Sequence, residues 1–331
     1  FFKDQKNLKK LIPIVIFAII LTITLAILIH LYITSFKKTL NQETQTSLSE
    51  TAQQTALLIE ERVRVNIKNL ETTAVPLALM TDASPDTISN YLQQEIKRYG
   101  YSDMSVARTD GLSFTANGNA FNISTKETFL RALNGESSIS DLISANFENH
   151  SSIEYATPIF SDGRVKGVLL ATYDLNTFQE LLSVDTFGGQ GNVQIINKDG
   201  IVLAGTTNKD NFNFFYTLRQ SESLNGMSAE DFIQAVHDKK SGILSYTAGG
   251  ISTMMYYKPL NVQDWSILVS VPSRVISAKT NALLLSLFLT GGIIALIVIT
   301  LMTVLLLIQS LHQQNLEKLL YSDKITGGAS Q

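Results

Sequence analysis

Two long apolar segments, one near each end of the chain, limit what this sequence can fold into. The first runs from Leu11 to Ile33 and the second from Ala282 to Ile308, and neither contains Asp, Glu, Lys or Arg. Each is longer than the roughly 20 residues that an α-helix needs to cross a bilayer. Because a helix satisfies its own backbone polar groups in lipid, we predict two transmembrane helices. A signal peptide is the alternative for the first segment, but no small-residue cleavage site follows it.

The placement of lysines orients the predicted helices. Those flanking the first segment are Lys3, Lys6, Lys9 and Lys10 before it, and Lys37 and Lys38 after it. Because basic residues are in excess on the cytoplasmic side, the N-terminus is predicted to be cytoplasmic. Two spans then place the middle of the chain outside the cytoplasm. The predicted location is the plasma membrane, as a multi-pass protein with the lipid bilayer as a partner.

Composition excludes several kinds of site. The chain has 331 residues, a formal net charge of −3 and no cysteine. The balanced charge gives no sign of nucleic-acid binding. Without cysteine there is no disulfide, no thiolate nucleophile and no Cys-based metal site. The four histidines are scattered without metal-ligand spacing. We therefore expect no catalytic residues, no metal and no cofactor in this chain, and no nucleic-acid partner.

The polar sequence after the first apolar segment predicts a long stalk helix. Residues of one helical face recur at three- and four-residue steps: Leu48, Ala52, Thr55, Ile59, Val63, Ile67, Leu70 and Ala74. Pro76 is the first residue after Phe36 that would interrupt this helix. The stripe could pack on the domain's own sheet or form a dimer seam. We favour the first interpretation for its second half and leave the first half open.

The middle of the chain carries the signs of a repeated antiparallel module. Asp110-Gly111 is matched by Asp199-Gly200, and the motif Y-x-x-P at 155–158 is matched at 256–259, in the same order. Strands flank both sets of turns. The segment Ser124–Glu127 is predicted to be a capping box that opens a short helix, and Ser228–Asp231 is predicted to cap another helix. The predicted fold class is therefore α+β, with two copies of one antiparallel-sheet module.

These features predict seven segments. They are a cytoplasmic N-terminus (1–10), a transmembrane helix (11–33), a stalk helix (34–80), a membrane-distal module (81–186), a membrane-proximal module (187–272), a helix containing the second transmembrane segment (273–310), and a cytoplasmic coupling helix leading into a further domain (311–331).

The stalk, the two modules with DG turns, the Y-x-x-P hairpins and the strand after Trp265 together resemble the double Cache extracellular sensor domain, over about Phe36 to Ala278. The resemblance implies two PAS-like modules, each with helices on one side of an antiparallel sheet. It also implies a small extracellular molecule as ligand, bound in the membrane-distal module.

The resemblance also implies ligand-binding residues. Amino-acid-binding members carry Arg, Trp and Tyr on the short helix and Asp at the end of a hairpin strand; here these positions hold Lys126, Thr128, Phe129 and Asp174. Lys offers a point charge where Arg would grip a carboxylate with two bonds, so a small carboxylate or amine is expected. Tyr155 could line the pocket or fill the core. Asp174 could contact ligand or cap the helix expected at Leu175.

The tail predicts the output. Asp323, Ile325, Thr326 and Gly327 fit the D-x-L-T-G-L-x-N-R opening of GGDEF-type diguanylate cyclase domains, whereas Gly328 departs from it. The resemblance implies that this chain is the sensory part of a longer, homodimeric diguanylate cyclase, which makes cyclic di-GMP and carries its catalytic loop further on. The alternatives are the sensor part of a chemoreceptor or histidine kinase, or a solute-binding membrane protein without output.

Overall fold

The computed structural model describes residues 2–80, 83–141, 143–144, 151–174, 182, 187–206 and 212–321. The chain divides into two compact units. The helical unit contains the residues up to Gln42 and those from Ile276 onward, and the sheet unit contains Glu43 to Val275. The tail motif from Asp323 to Gly328 lies outside the described residues.

Helix α1 spans Phe2–Leu79. Within the sheet unit its apolar stripe is buried as the periodicity predicts, at Leu48, Ala52, Thr55, Ile59, Val63, Leu70 and Ala74, with Ile67 half-buried. Both halves of the stripe are therefore buried within the single chain. The helix continues past Pro76, whose missing N–H costs one hydrogen bond in the last turn.

The first module begins with helix α2, Pro85–Tyr99. The hydroxyl of Ser84 accepts a hydrogen bond from the backbone N–H of Thr87, and Pro85 occupies the first helical position. Gly100 ends the helix in the left-handed conformation, with φ of 73°. The sequence predicts this helix from Ser84-Pro85 at its start and Gly100 at its end, and the structure confirms both ends.

The first sheet has seven strands in the described residues. They are β1 (Asp103–Arg108), β2 (Leu112–Thr115), β3 (Ala120–Asn122), β4 (Ser138–Ile139), β5 (Ile143–Ser144), β6 (Ser151–Ser161) and β7 (Arg164–Asp174). The spatial order is β3-β2-β1-β7-β6-β4, with β5 also paired to β6, and every pairing is antiparallel. Helix α3, Glu127–Leu133, packs on β6 and β7.

The second module repeats this plan. Its strands are β8 (Asn192–Ile196), β9 (Val202–Gly205), β10 (Ser223–Asn225), β11 (Gly242–Ala248), β12 (Ile251–Pro259) and β13 (Ser266–Pro272), and its helices are α4 (Phe214–Arg219) and α5 (Ala229–His237). Read from β9, the order is β9-β8-β13-β12-β11-β10. The first five strands of this order correspond to β2-β1-β7-β6-β4 of the first sheet. The predicted α+β class, with two antiparallel sheets and a long N-terminal helix, is therefore confirmed.

The two DG turns have the same structural role. Gly111 and Gly200 both have positive φ, at 89° and 80°. The carbonyl of Gly111 accepts from the N–H of Ile123 at 2.9 Å, and that of Gly200 accepts from the N–H of Phe214 at 2.7 Å. A Cβ at either glycine would collide with the next segment, at Ser124 or at the ring of Phe215. Only glycine meets both the backbone and the space requirement here.

The capping box predicted at Ser124–Glu127 is wrong. Helix α3 has Lys126 at its N-cap and no side-chain cap, because the hydroxyl of Ser124 donates instead to Asn122 Oδ1 at 2.7 Å. The neighbouring backbone bond to Gly111 holds this segment in a local turn. The Ser228 box is confirmed, since its hydroxyl accepts from the N–H of Asp231 at 3.1 Å and that carboxylate accepts in return.

Helix α6, Ser273–Tyr321, begins at the residue that follows β13. In the described residues, two helices are long and apolar enough to cross a membrane: Ile23–Leu79, which is part of α1, and Leu285–His312, which is part of α6. Within the helical unit, Gly291 lies against Ile29, where an added Cβ would be 3.5 Å from the Ile29 Cδ1.

Candidate functional site

A cavity of about 280 Å³ lies where the two modules meet inside the sheet unit. Most of its lining belongs to α3, β4 and β6 of the first module, and the rest belongs to two turns of the second. The lining residues are Lys126, Glu127, Thr128, Arg131, Ile139, Ser140, Asp141, Glu154, Lys198, Gln263 and Asp264. The cavity therefore has a charged wall contributed by both modules.

Glu154 is the centre of the polar wall. Lys126 Nζ lies 2.7 Å from Glu154 Oε2, and Thr128 Oγ1 donates to Glu154 Oε1 at 2.9 Å. The side chain of Glu154 is only 7% exposed, whereas that of Lys126 is 37% exposed. A buried carboxylate is tolerated only when it is paired and hydrogen-bonded, and these two donors meet that requirement.

Backbone pairing fixes Glu154 in place. Its N–H donates to Ser140 Oγ at 3.0 Å, and its carbonyl accepts from the Ser140 N–H at 2.8 Å. Glu154 also sits opposite Thr172 of β7 in the sheet register. Because successive residues of a strand face opposite sides, Glu154 and Ala156 face α3 while Tyr155 faces α1.

The lining of the cavity contains more carboxylates than cationic side chains. Its lining comprises three cationic side chains, Lys126, Arg131 and Lys198, and four carboxylates, Glu127, Asp141, Glu154 and Asp264. Arg131 is engaged by Glu136 outside the lining, and this hydrogen bond raises the pKa of the guanidinium. Lys239 lies 3.0 Å from Asp264 and its hydrogen bond holds the pKa of that carboxyl below its usual value.

The structure brings together Lys126 and Thr128, two of the predicted site residues. Phe129, a third, is 1% exposed and packs in an apolar cluster with Ala132, Ala156 and Leu170. Its ring fixes α3 against the sheet, and so holds Lys126 and Thr128 in position over Glu154.

Tyr155 lies on the opposite face of the sheet from this cavity. It is fully buried against α1, where its hydroxyl accepts from Asn66 Nδ2 at 3.2 Å. Tyr101 donates to the carbonyl of the same Asn66 at 3.1 Å. Burial raises the pKa of both tyrosines. Of the two roles considered for Tyr155, the structure favours core packing.

Asp174 is the last residue of β7 and is half-buried. It pairs with Ser152, two residues before Glu154, so Asp174 and Glu154 share one face of the sheet. Diagonal neighbours of this kind lie roughly 7–8 Å apart. The helix that Asp174 was expected to cap, from Leu175, lies outside the described residues.

Sequence reasoning missed Glu154 and the second module's contribution. A signal for Glu154 was present, because it is the one charged residue of β6 and lies between Ile153 and Tyr155. The contribution of the second module had no local signal. Trp265 Nε1 donates to Asp141 Oδ1 at 2.6 Å, although 124 positions separate the two residues.

Further contacts join the β12–β13 turn to the first module and to α1. Gln263 has a φ of 48°, donates to the carbonyl of Ile139 and accepts from Arg131 Nη1 at 3.4 Å. The N–H of Asn261 donates to Glu60 of α1 at 2.9 Å. No cluster of His, Asp or Glu with metal-binding geometry occurs in the part of the chain that the structure describes.

Comparison with solved structures supports the architecture. The ligand-binding domain of the Pseudomonas fluorescens chemoreceptor CtaA, in complex with L-isoleucine, is 15% identical with a TM-score of 0.58, covering 73% of this chain and 98% of that chain. The ligand-binding domain of the Pseudomonas aeruginosa PAO1 amino acid chemoreceptor PctB, in complex with L-Arg, is 18% identical with a TM-score of 0.56, covering 70% and 96%.

The extracellular domain of the putative histidine kinase mmHK1S-Z3 is 16% identical with a TM-score of 0.56, covering 73% of this chain and 98% of that chain. No curated protein sequence matches at a significant level. The family model dCache_1, described as Cache domain, matches residues 33–280. The match covers the whole of the sheet unit with both repeats, and the chain therefore belongs to the dCache_1 family of Cache domains.

Proposed function

We propose that this chain is the sensory part of a membrane signalling protein, and that it binds a small extracellular molecule in the cavity beside Lys126, Thr128 and Glu154. The observation that carries the proposal is a buried carboxylate, held by an ammonium and a hydroxyl, at the wall of a cavity shared by two modules. Such a concentration of convergent polar groups in a concave site is typical of ligand recognition.

The predicted site residues divide into two roles under this proposal. Lys126 and Thr128 line the cavity beside Glu154 and contact the ligand, and Asp174 lies on the same face of the sheet as Glu154. Phe129 and Tyr155 are buried and position α3 and β6. The similar chemoreceptor domains are in complex with L-Arg and L-isoleucine, which supports a ligand of amino-acid size for this cavity.

Coupling follows from the contacts of the second module. Ligand in the cavity touches Asp141 and Gln263, and through them the β12–β13 turn that carries Trp265. Strand β13 leads directly into α6, so a shift of this turn would reach the second apolar helix without a flexible linker. Ligand changes this equilibrium only as far as it binds one arrangement of the modules more tightly than the other.

The proposed output is cyclic di-GMP synthesis by a cytoplasmic GGDEF domain that begins near Asp323. This output requires a homodimer, because two GTP molecules are joined across two subunits. The second candidate is a chemoreceptor or histidine-kinase output, which is supported because the similar structures include domains of both kinds of protein. Both outputs use the same extracellular site and the same two membrane helices.

The sensing proposal is tested on the full chain in lipid nanodiscs. A panel of amino acids, amines and carboxylates is added and the melting temperature is measured, since a ligand that binds only the folded state raises it. We expect at least one compound to stabilise the wild type and to have less effect on Thr128→Val. Glu230→Gln, at an exposed ion pair with Arg219, is the matched control. No stabilisation by any compound would contradict the proposal.

Output is tested in cells that carry the natural gene. Addition of the stabilising compound is expected to change cyclic di-GMP, and the change is expected to be lost in Thr128→Val but kept in Glu230→Gln. Unchanged cyclic di-GMP together with altered swimming bias or kinase phosphorylation would favour the second candidate.

Topology is tested with single cysteines, because the natural chain has none. Arg219→Cys is expected to react with a membrane-impermeant maleimide on intact spheroplasts. Gln314→Cys is expected to react only after permeabilisation. The reverse pattern would contradict the extracytoplasmic placement of the sheet unit.

A further inference from the structure

Glu154 occupies the place that an anionic ligand would need. Lys126 Nζ and Thr128 Oγ1, the two donors that converge on the cavity wall, are both engaged by its carboxylate, at 2.7 and 2.9 Å. The chain thus supplies its own carboxylate to its own anion-binding groups. A ligand carboxylate could reach Lys126 only by displacing Glu154.

Displacement would be costly. The side chain of Glu154 is buried, and the bonds of Ser140 to its backbone hold this residue in β6. Removing one partner from a buried ion pair leaves an uncompensated charge, which is strongly unfavourable. An incoming anion would therefore impose on the protein an unpaired buried carboxylate beside the new one.

A ligand cation would not have to displace Glu154. An ionised carboxylate offers about four lone-pair sites, and the described contacts to Lys126 and Thr128 use two of those on Glu154. Glu127 and Asp141 add negative charge to the same lining. Asp174 lies on the same face of the sheet. An ammonium group can share this carboxylate with Lys126, so the existing pair is weakened but no buried charge is left unpaired.

We infer that the cavity selects a ligand that carries a primary ammonium group, and that Glu154 is the specificity-determining residue that accepts this group and excludes free carboxylates. The inference rests on the proposed sensing function and deepens it by naming the class of ligand. Lys126 is then a competitor that the ligand ammonium partly replaces at Glu154, and not a receptor for a ligand anion.

The test uses three compounds with the same four-carbon chain: 1,4-diaminobutane, 4-aminobutanoate and butanedioate. Each is titrated by calorimetry into the full chain in nanodiscs. We expect the diamine to bind most tightly, the zwitterion more weakly, and the dianion not to bind. If butanedioate binds the wild type as well as the diamine, or if none of the three binds, the inference is overturned.

Two substitutions are expected to change the affinity for the diamine in opposite directions. Glu154→Gln keeps the size and an acceptor oxygen but removes the charge, so diamine affinity is expected to fall about 10- to 100-fold, the equivalent of one charge-assisted hydrogen bond. Butanedioate is expected to gain measurable affinity in this variant, because Lys126 is released. Lys126→Met removes the competitor, and its diamine affinity is expected to rise.

These directions separate charge selection from damage to the fold. A merely structural role for Glu154 would weaken every compound in both variants, and that result overturns the inference. Melting temperature and circular dichroism show that each variant is folded, and Glu230→Gln is the matched control for loss of a glutamate elsewhere. If another compound of the wider panel binds while this series contradicts charge selection, the sensing proposal stands and only the ligand class fails.

Discussion

The two modules share a strand order, a DG turn and a Y-x-x-P strand, yet different side chains fill the space between the sheet and the short helices in each module. The residue before the tyrosine of that motif is Glu154 in the first module and Met255 in the second. The residue after it is Ala156 in one and Tyr257 in the other. All four are buried and face the short helices of their modules.

The larger residues close the second module. Phe232 packs edge-on against Tyr257 with ring centroids 4.9 Å apart, and against Phe214 and Phe215 at 5.9 and 6.0 Å. Met255 is 1% exposed within the same cluster. In the first module a small residue and a carboxylate at these positions leave polar groups beside a cavity. The same backbone plan can therefore enclose a closed apolar core or border a polar cavity, depending on the side chains at two positions.

Placing the first module's carboxylate in the second module should have the largest effect. Met255→Glu buries a charge among the aromatic rings of this cluster, and we expect a loss of about 3–5 kcal/mol in the free energy of unfolding. Urea unfolding followed by circular dichroism measures this loss. Met255→Leu is the control and is expected to cost less than about 1.5 kcal/mol. Equal stability of the two variants would contradict a closed apolar core.

The tyrosine of the shared motif tests a second difference. Tyr155→Phe leaves the buried Asn66 amide without its acceptor, so we expect a loss of about 1–3 kcal/mol. Tyr256→Phe, at the equivalent and half-buried position, is expected to change stability by less than about 0.5 kcal/mol. Equal losses in the same unfolding measurement would show that Tyr155 does not fasten the first sheet to α1.

Alkaline pH tests whether the modules unfold together. Burial raises the pKa of Tyr101 and Tyr155 above that of the unfolded chain, which lies near 10. Above about pH 10 the unfolded state binds fewer protons than the folded state, so stability is full below that pH and falls as pH rises. The expected slope is about 1.4 kcal/mol per pH unit for each such tyrosine.

Tyr101→Phe should reduce this slope for the whole sheet unit, because hydrogen bonds such as Trp265 to Asp141 join the modules. Urea unfolding at pH 9, 10 and 11 measures the slope. Two separate transitions, of which only one responds to the substitution, would show that the modules unfold independently.

The smallest change in stability is expected when the first module receives the second module's residue. Glu154→Met replaces a buried ion pair by an apolar side chain, which is often close to neutral, so we expect a change below about 1 kcal/mol. Lys126 is partly exposed and can turn to solvent. Ligand stabilisation of the melting temperature should nevertheless disappear. Retained ligand stabilisation would place the binding site elsewhere.

Much of the fold was predictable because it depends on local signals. The stripe from Leu48 to Ala74, the cap at Ser84 and the turns at Gly111 and Gly200 each depend on residues within a few positions of one another. The exception is Ser124, whose capping box failed because its segment is held by a backbone bond to a turn more than ten residues earlier. Local patterns fail where a contact from outside the window decides the conformation.

The candidate site was predictable only in part. Lys126 and Thr128 were identified through a family resemblance, and both line the cavity. The sequence left Tyr155 as either a pocket residue or a core residue. The structure favours the core, because the sheet face on which Tyr155 lies depends on how β6 pairs with β7. Gln263 and Asp264 gave no signal, since nothing near them in the chain indicates that their turn meets α3.

The sequence by itself determined the two apolar helices, the α+β repeat and the glycine turns, because length, hydrophobic period and backbone freedom are properties of neighbouring residues. Only the tertiary structure decided that Glu154 is buried between Lys126 and Thr128, and that a turn carrying Trp265 closes the cavity. The physical reason is that burial and pairing arise between segments far apart in the chain, and the local sequence does not indicate which distant segments will meet.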